Sequence, residues 1–172
     1  MGYGRHEKPN AGVTNIWLTP PEIINLLGPF DIDPCAAPCP RPWKTANEHY
    51  TELDGDGLVK NWNGIAWVNP PYGNKAEAWL HKLAMHGEGI ALIFARTETA
   101  WFQRVMHHDW LLFFPAGRLF FYKPTGERAG GNAGAPSVFL AIGEESKKRL
   151  SNCGISGFYC KAKFYDKRVS NN

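Results

Sequence analysis

The stretch Ile65-Ala66-Trp67-Val68-Asn69-Pro70-Pro71-Tyr72-Gly73 decides how this sequence is read. Its first four residues are apolar, with β-branched Ile and Val, and read as a short buried strand. The strand has to stop at the two prolines, because neither can donate to a ladder. Asn69 therefore stands at the carboxyl end of a strand, where open α/β sheets bind ligands. Its amide oxygen and the Pro70 carbonyl are two acceptors on a stiff backbone, and Tyr72 adds an aromatic face. Two acceptors beside a stacking ring suit an exocyclic amino group on a flat ring. Accepting both amino hydrogens draws the nitrogen lone pair out of conjugation, so that it can attack an electrophilic methyl group. The structural alternative is a Pro-Pro turn with a packed tyrosine.

Outward from this stretch, strands alternate with helices. Upstream, Thr19-Pro20-Pro21-Glu22 predicts a capping box: Thr19 caps, Pro20 takes the first helical position and Glu22 reaches back. Ile23, Ile24, Leu26 and Leu27 give the apolar face, and Gly28 closes the helix. Residues 30–33 read as a strand stopped by Pro34, and residues 34–46, with four prolines, as loop. Downstream, Asn74 is placed to cap a helix over 75–86, with Trp79, Leu80, Leu83 and Ala84 on one stripe and Gly87 behind it.

A strand at 90–95 and a helix at 99–107 follow, with His107-His108-Asp109 as a C-terminal cap. Residues 110–114 and 118–122 read as two strands around a hairpin-like turn at Pro115-Ala116-Gly117. Residues 123–136 hold four Gly and two Pro and read as a mobile loop. Residues 137–142 form a last buried strand, and 144–172 a polar, basic tail with one short strand at 158–164. The expectation is an α/β fold: a mixed central sheet with a closing antiparallel hairpin and helices on both faces. Residues 1–14 read as a flexible arm and 15–172 as one domain.

Composition narrows the class. The chain has 172 residues, 44% hydrophobic and 20% charged, which suits one domain with a real core. No apolar run approaches a membrane span or a signal peptide, so a soluble cytoplasmic protein is expected. The net charge of +3 excludes a polycation. It is also unevenly spread: residues 1–86 carry 7 Lys+Arg against 9 Asp+Glu, and residues 87–172 carry 12 against 7. That split suits a cationic small ligand on one side and a polyanion on the other. Cys35, Cys39, Cys153 and Cys160 lack paired C-x2-C spacing, so reduced thiols are expected rather than a zinc site. Aromatics reach 13%, with seven Trp, which exceeds what core filling requires.

Asn69-Pro70-Pro71-Tyr72 resembles motif IV of the amino-methyltransferases that use S-adenosylmethionine. Trp17-Leu18-Thr19-Pro20-Pro21 resembles their motif X. Asp31-Ile32-Asp33-Pro34-Cys35-Ala36-Ala37 resembles motif I, in which an acid followed by proline ends the first strand. Asp54-Gly55-Asp56-Gly57-Leu58, Trp62, the run 96–102 and Gly117-Arg118-Leu119-Phe120-Phe121 continue the series. Over residues 15–142 this order resembles the small phage-type Dam family of DNA adenine-N6 methyltransferases. One departure stands out: Ala36-Ala37-Pro38-Cys39-Pro40 replaces the Gly-rich turn that usually follows motif I. There is no G-x-G-x-x-G either, and the Gly residues of 126–134 lack the Lys-Ser/Thr of a nucleotide-phosphate loop.

The resemblance implies a Rossmann-like class I methyltransferase fold, S-adenosylmethionine as cofactor, no metal, and double-stranded DNA as partner, in a bacterial host's cytoplasm. It implies Asn69, Pro70, Pro71 and Tyr72 as catalytic residues, acting on an adenine flipped from the duplex. It implies Trp17, Thr19, Asp33, Pro34 and Ala36 around the methionine end of the cofactor, with Pro20 and Asp31 also among the cofactor-binding residues. Alternation along the strand sends Asp31 and Asp33 to the same face, and Asp33 holds the acid-Pro position. Asp54 or Asp56 is placed to hold the ribose or adenosine, or else forms a plain Asp-Gly turn. Arg96, Arg118, Lys123 and Arg128 are the candidate phosphate contacts. A methyltransferase of RNA adenine or of a protein glutamine amide could use the same tetrapeptide, and a non-catalytic nucleic-acid-binding domain could retain it in degenerate form.

Overall fold

The computed structural model describes residues 16–51 and 56–163. The arm at 1–14, Asp54 and the end of the 158–164 strand lie outside them. Helix α1 is Pro21–Leu27, followed by strands β1 (Ile32–Asp33), β2 (Glu48–His49) and β3 (Ala66–Val68). Helix α2 (Ala76–His86), strand β4 (Gly89–Phe94), helix α3 (Ala100–Val105) and strand β5 (Leu111–Pro115) come next. Strand β6 (Ser137–Ile142), helix α4 (Glu144–Ser151) and strand β7 (Gly157–Lys161) complete the order.

All seven strands form one mixed sheet in the order β2-β1-β3-β4-β6-β5-β7. β2, β1, β3 and β4 are mutually parallel. β6 lies antiparallel between β4 and β5, and β7 lies antiparallel to β5 at the edge. The chain leaves β1 towards β2 on one side, then crosses to β3 on the other. The sheet order therefore reverses between β1 and β3, and their carboxyl ends open a crevice there.

The pleat sorts alternate residues onto two faces. Ala66, Val68, Ala91, Ile93, Val138 and Leu140 meet Leu80 and Leu83 of α2 and Phe102 and Val105 of α3. Trp67, Ile90, Leu92, Phe139 and Ala141 meet Ile24 and Leu27 of α1 and Leu150 of α4. Both faces are thus covered by helices, which is why β3 and β4 read as unbroken apolar runs.

Several expectations need correction. The capping box does not form: Pro20 occupies the N-cap of α1 without a side-chain cap bond, Pro21 takes the first turn, and Thr19 lies one residue outside. Likewise α2 starts from Lys75, not Asn74, although Gly87 ends it in a left-handed conformation at φ 88° as expected. The 34–46 loop leads into an unforeseen strand, β2. Residues 118–122 make no hairpin with β5. Their place beside it is taken by β7, while Tyr122 bridges Leu18 and Arg128. The Gly-rich segment is tied down as well, with Ala129 N–H donating to Phe121 O at 2.8 Å and Ala133 N–H to Leu119 O at 2.7 Å.

The tail contains α4, whose only buried side chains are Ser146 and Leu150. One apolar residue in eight gives no helical stripe to read. Glu88 supplies what that helix lacks in capping, its Oε1 accepting from Ser146 N–H at 2.7 Å. The His107-His108-Asp109 run follows α3, with His108 N–H donating to Val105 O at 3.4 Å, and two of its side chains are engaged elsewhere. His108 pairs with His81 across 2.9 Å, and Asp109 with Lys147 at 2.6 Å. No helix among the described residues is long and apolar enough to cross a membrane.

Candidate functional site

The crevice at the carboxyl ends of β1 and β3 is a cleft of about 560 Å³, within the usual range for small-molecule sites. Its walls come from the strap 16–19, the turn after β1, residues between 41 and 51, the turn 56–58, Asn69 to Tyr72, and Lys75 and Trp79 at the start of α2. Trp17, Thr19, Asp33, Pro34, Ala36 and Asp56 all line it together with the tetrapeptide. Two expected residues do not. Pro20 is spent on starting α1, its carbonyl accepting from Ile23 and Ile24. Asp31 is exposed and binds the Ile65 N–H at 2.7 Å, so it pins the approach to β3. Of the two acids, Asp31 meets water and Asp33 is buried.

Asp33 is buried at 4% exposure. Its carboxylate accepts from Thr45 Oγ1 at 2.5 Å and from Cys35 N–H at 3.2 Å. Burial dominates these bonds and the nearby Arg41 charge, and raises its pKa from 3.8 to about 6. Burial and the Asp33 charge also push the neighbouring Cys35 thiol well up. Asp56 makes an Asp-Gly turn, accepting from Leu58 N–H at 2.8 Å, and still borders the cleft.

The missing Gly-rich turn has a counterpart elsewhere. A Cβ on Gly57 would stand 2.0 Å from the Pro34 carbonyl oxygen. The close backbone approach comes from the 56–58 turn folding onto Pro34, not from glycines after β1. Lys82 holds that turn from below, donating to the carbonyls of Leu58 (2.8 Å) and Lys60 (2.5 Å).

At the other end of the cleft, Asn69 Nδ2 donates to Trp17 O at 3.2 Å and to Thr19 Oγ1 at 3.3 Å. Asn69 Oδ1 is buried and has no hydrogen-bond partner, and the same holds for the Tyr72 hydroxyl. The Tyr72 ring stacks on Phe94, with centroids 4.2 Å apart and planes within 5°. Phe121 presents its edge at 6.3 Å. One face of Tyr72 is thus already covered.

Sequence reasoning missed Phe94 because it read the last residues of β4 only as strand. The parallel register Val68↔Ala91 brings Phe94 level with the tetrapeptide. It also missed the cleft residues Arg41, Trp43, Tyr50 and Trp79. Of these, Trp43 could have been singled out from its setting among prolines, since a loop tryptophan needs a reason to be there.

Arg96, Arg118, Lys123 and Arg128 are all exposed and none lines the cleft. Arg118 donates to Ala133 O at 3.1 Å, Lys123 pairs with Glu127 at 3.1 Å, and Arg128 lies 4.0 Å over the Phe120 ring. The Tyr122–Leu18 bridge sets Lys123 and Arg128 beside the strap that walls the cleft. Among the described residues, no group of three or more His, Cys, Asp or Glu is placed to hold a metal ion.

A buried acid, aromatic side chains and an unsatisfied amide oxygen thus meet in one crevice at the carboxyl ends of β1 and β3. Residues 7–155 match the DNA N-6-adenine-methyltransferase (Dam) family, and the chain belongs to it. It is a DNA adenine-N6 methyltransferase that uses S-adenosylmethionine as methyl donor. No curated protein and no solved structure matches the chain.

The cleft fits that cofactor. Asp33 offers a buried carboxylate for an ammonium, and the volume and aromatic lining suit an adenosyl sulfonium.

Proposed function

We propose that this chain methylates adenines flipped from double-stranded DNA, in the crevice between β1 and β3 of a Rossmann-like class I methyltransferase sheet. Four parallel strands followed by an antiparallel β6 inserted before β5 support the fold. The observation that carries the reaction is the buried Asn69 Oδ1 without a partner. A buried acceptor left unbonded costs about 1–3 kcal/mol, a cost relieved when an amino group arrives.

S-adenosylmethionine supplies the electrophilic methyl group. The chain's own residues do the rest. Asp33 holds the ammonium of the methionine end, and Asp56 stands beside the ribose. Trp17, Trp43, Tyr50 and Trp79 give aromatic faces that stabilise a nearby cation by ~0.5–2 kcal/mol each at most. Asn69 Oδ1 and the Pro70 carbonyl accept the two N6 hydrogens, and Pro71 keeps the backbone stiff. Held between these two acceptors, the N6 lone pair would be aimed at the methyl group that the bound cofactor would supply. The extra N6 proton leaves to water, because neither amide acceptor is basic enough to keep it.

The base stacks on Tyr72, a contact worth ~1–3 kcal/mol. Since Phe94 covers one face of that ring, the adenine takes the open face. Arg96, Arg118, Lys123 and Arg128 meet phosphates around the cleft mouth. One seven-stranded sheet runs through the described residues, 16–51 and 56–163, which supports reading them as a single domain.

The test is incubation with labelled cofactor and unmethylated duplex DNA, followed by digestion and detection of N6-methyladenine. Asn69→Ala should lose turnover by at least ~100-fold, the usual scale for a group acting on the transition state, while still binding cofactor. Full turnover in that variant would remove Asn69 from the mechanism.

A further inference from the structure

The orientation of the Asn69 amide is decided by its neighbours. The Trp17 carbonyl, 3.2 Å from Nδ2, is an acceptor with no proton to give. Were the amide turned over, Oδ1 would face that carbonyl, acceptor against acceptor, and Nδ2 would face the substrate amine, donor against donor. Thr19 Oγ1 takes the second Nδ2 hydrogen at 3.3 Å. Both partners sit on the strap, and the strap is itself fixed. Leu18 exchanges two backbone bonds with Tyr122, at 2.8 and 3.0 Å. Trp43 Nε1 donates to Thr19 O at 3.1 Å and sets its ring edge-on to Tyr122. Thr19 is 2% exposed, so no water competes for its hydroxyl.

We propose that the strap Trp17–Thr19 is an orientation lock, with Thr19 a positioning residue that acts on the reaction through Asn69. Thr19 holds the amide so that Oδ1 faces the amine, and the neighbouring cofactor contact rests on Asp33 rather than on this hydroxyl. The inference depends on Asn69 being the N6 acceptor.

The experiment compares Thr19→Val, Thr19→Ser and Asn69→Ala in the full chain by three measurements. These are cofactor affinity by calorimetry, single-turnover methylation of duplex DNA at saturating cofactor, and solvent exchange of the Asn69 side-chain amide protons by nuclear magnetic resonance. Losing one neutral hydrogen bond corresponds to roughly three- to tenfold. Thr19→Val should therefore slow single turnover and hasten amide exchange by about that factor, with cofactor affinity changed less than either. Thr19→Ser, which keeps the oxygen, should restore both.

The lock is overturned if Thr19→Val loses cofactor affinity while the saturated rate holds, or if Thr19→Ser rescues neither measurement. If Thr19→Val is silent while Asn69→Ala is inactive, the lock fails and the Asn69 mechanism stands. If Asn69→Ala is fully active, the mechanism fails and the lock with it.

Discussion

Replacing Asp33 with Asn should stabilise the cofactor-free protein while disabling its cleft. The carboxyl is almost fully buried and titrates near pH 6 rather than at 3.8. It therefore binds its proton more tightly folded than unfolded. Folding gains from this at low pH: the contribution is complete below about pH 4 and is lost as pH rises through about 6. A displacement of roughly two pH units corresponds to about 3 kcal/mol at 1.36 kcal/mol per unit.

Asn has nearly the same shape and can still accept from Thr45, but it carries no charge. At pH 8 the cofactor-free variant should exceed the wild type by up to about 3 kcal/mol, or about 6–12 °C in Tm for a domain of this size. The difference should close as pH falls below about 4. Thermal and urea denaturation from pH 4 to 8 measure it. A variant no more stable than wild type at pH 8, or a difference that widens towards low pH, would refute the reasoning. With cofactor added the order should change. The wild type gains stability from the ligand and the variant little, because its counter-charge is gone. Wild-type affinity should also fall about tenfold per unit as pH drops below 6, since the proton competes with the ammonium.

Other outcomes follow from the same geometry. Lys82→Met leaves the Leu58 and Lys60 carbonyls without their ammonium donor. It should cost about 1–2 kcal/mol in urea denaturation and raise the KM for cofactor more than it lowers kcat. Gly57→Ala drives a methyl into the Pro34 carbonyl and should weaken cofactor binding in calorimetry by ~10-fold or more, because backbone on both sides has to move. Tyr72→Phe removes a buried hydroxyl that has no partner. It should leave the fold as stable or slightly more so and keep turnover, whereas Tyr72→Ala should lose the stacking term in DNA-binding titrations. Equal activity of the Ala variant would remove the ring from base recognition.

The legibility of the site tracked the range of the forces involved. Asn69-Pro70-Pro71-Tyr72 was readable because the strand before it and the prolines within it are local facts. Asp33 was readable for the same reason, being the last residue of a strand that Pro34 ends. Thr19 was misread as a cap. Local rules see a Ser/Thr two residues before Glu22's helix, while the structure gives its hydroxyl to Asn69, fifty residues away. Phe94 and Lys82 were invisible for a similar reason. Their roles arise only where β4 and α2 lie against other segments.

The sequence alone thus determined the apolar strands β3, β4 and β6, the helix behind the tetrapeptide, and the place of the tetrapeptide at the end of β3. Periodicity, proline and glycine act within a few residues and need no partner to be read. The tertiary structure decided the rest. It placed β7, not residues 118–122, beside β5, because edge pairing depends on which strand can reach. It turned Asp31 outward and Asp33 inward, and it set the hand of the Asn69 amide. Those outcomes depend on burial and on hydrogen bonds between residues distant in sequence, which exist only once the sheet has closed around its crevice.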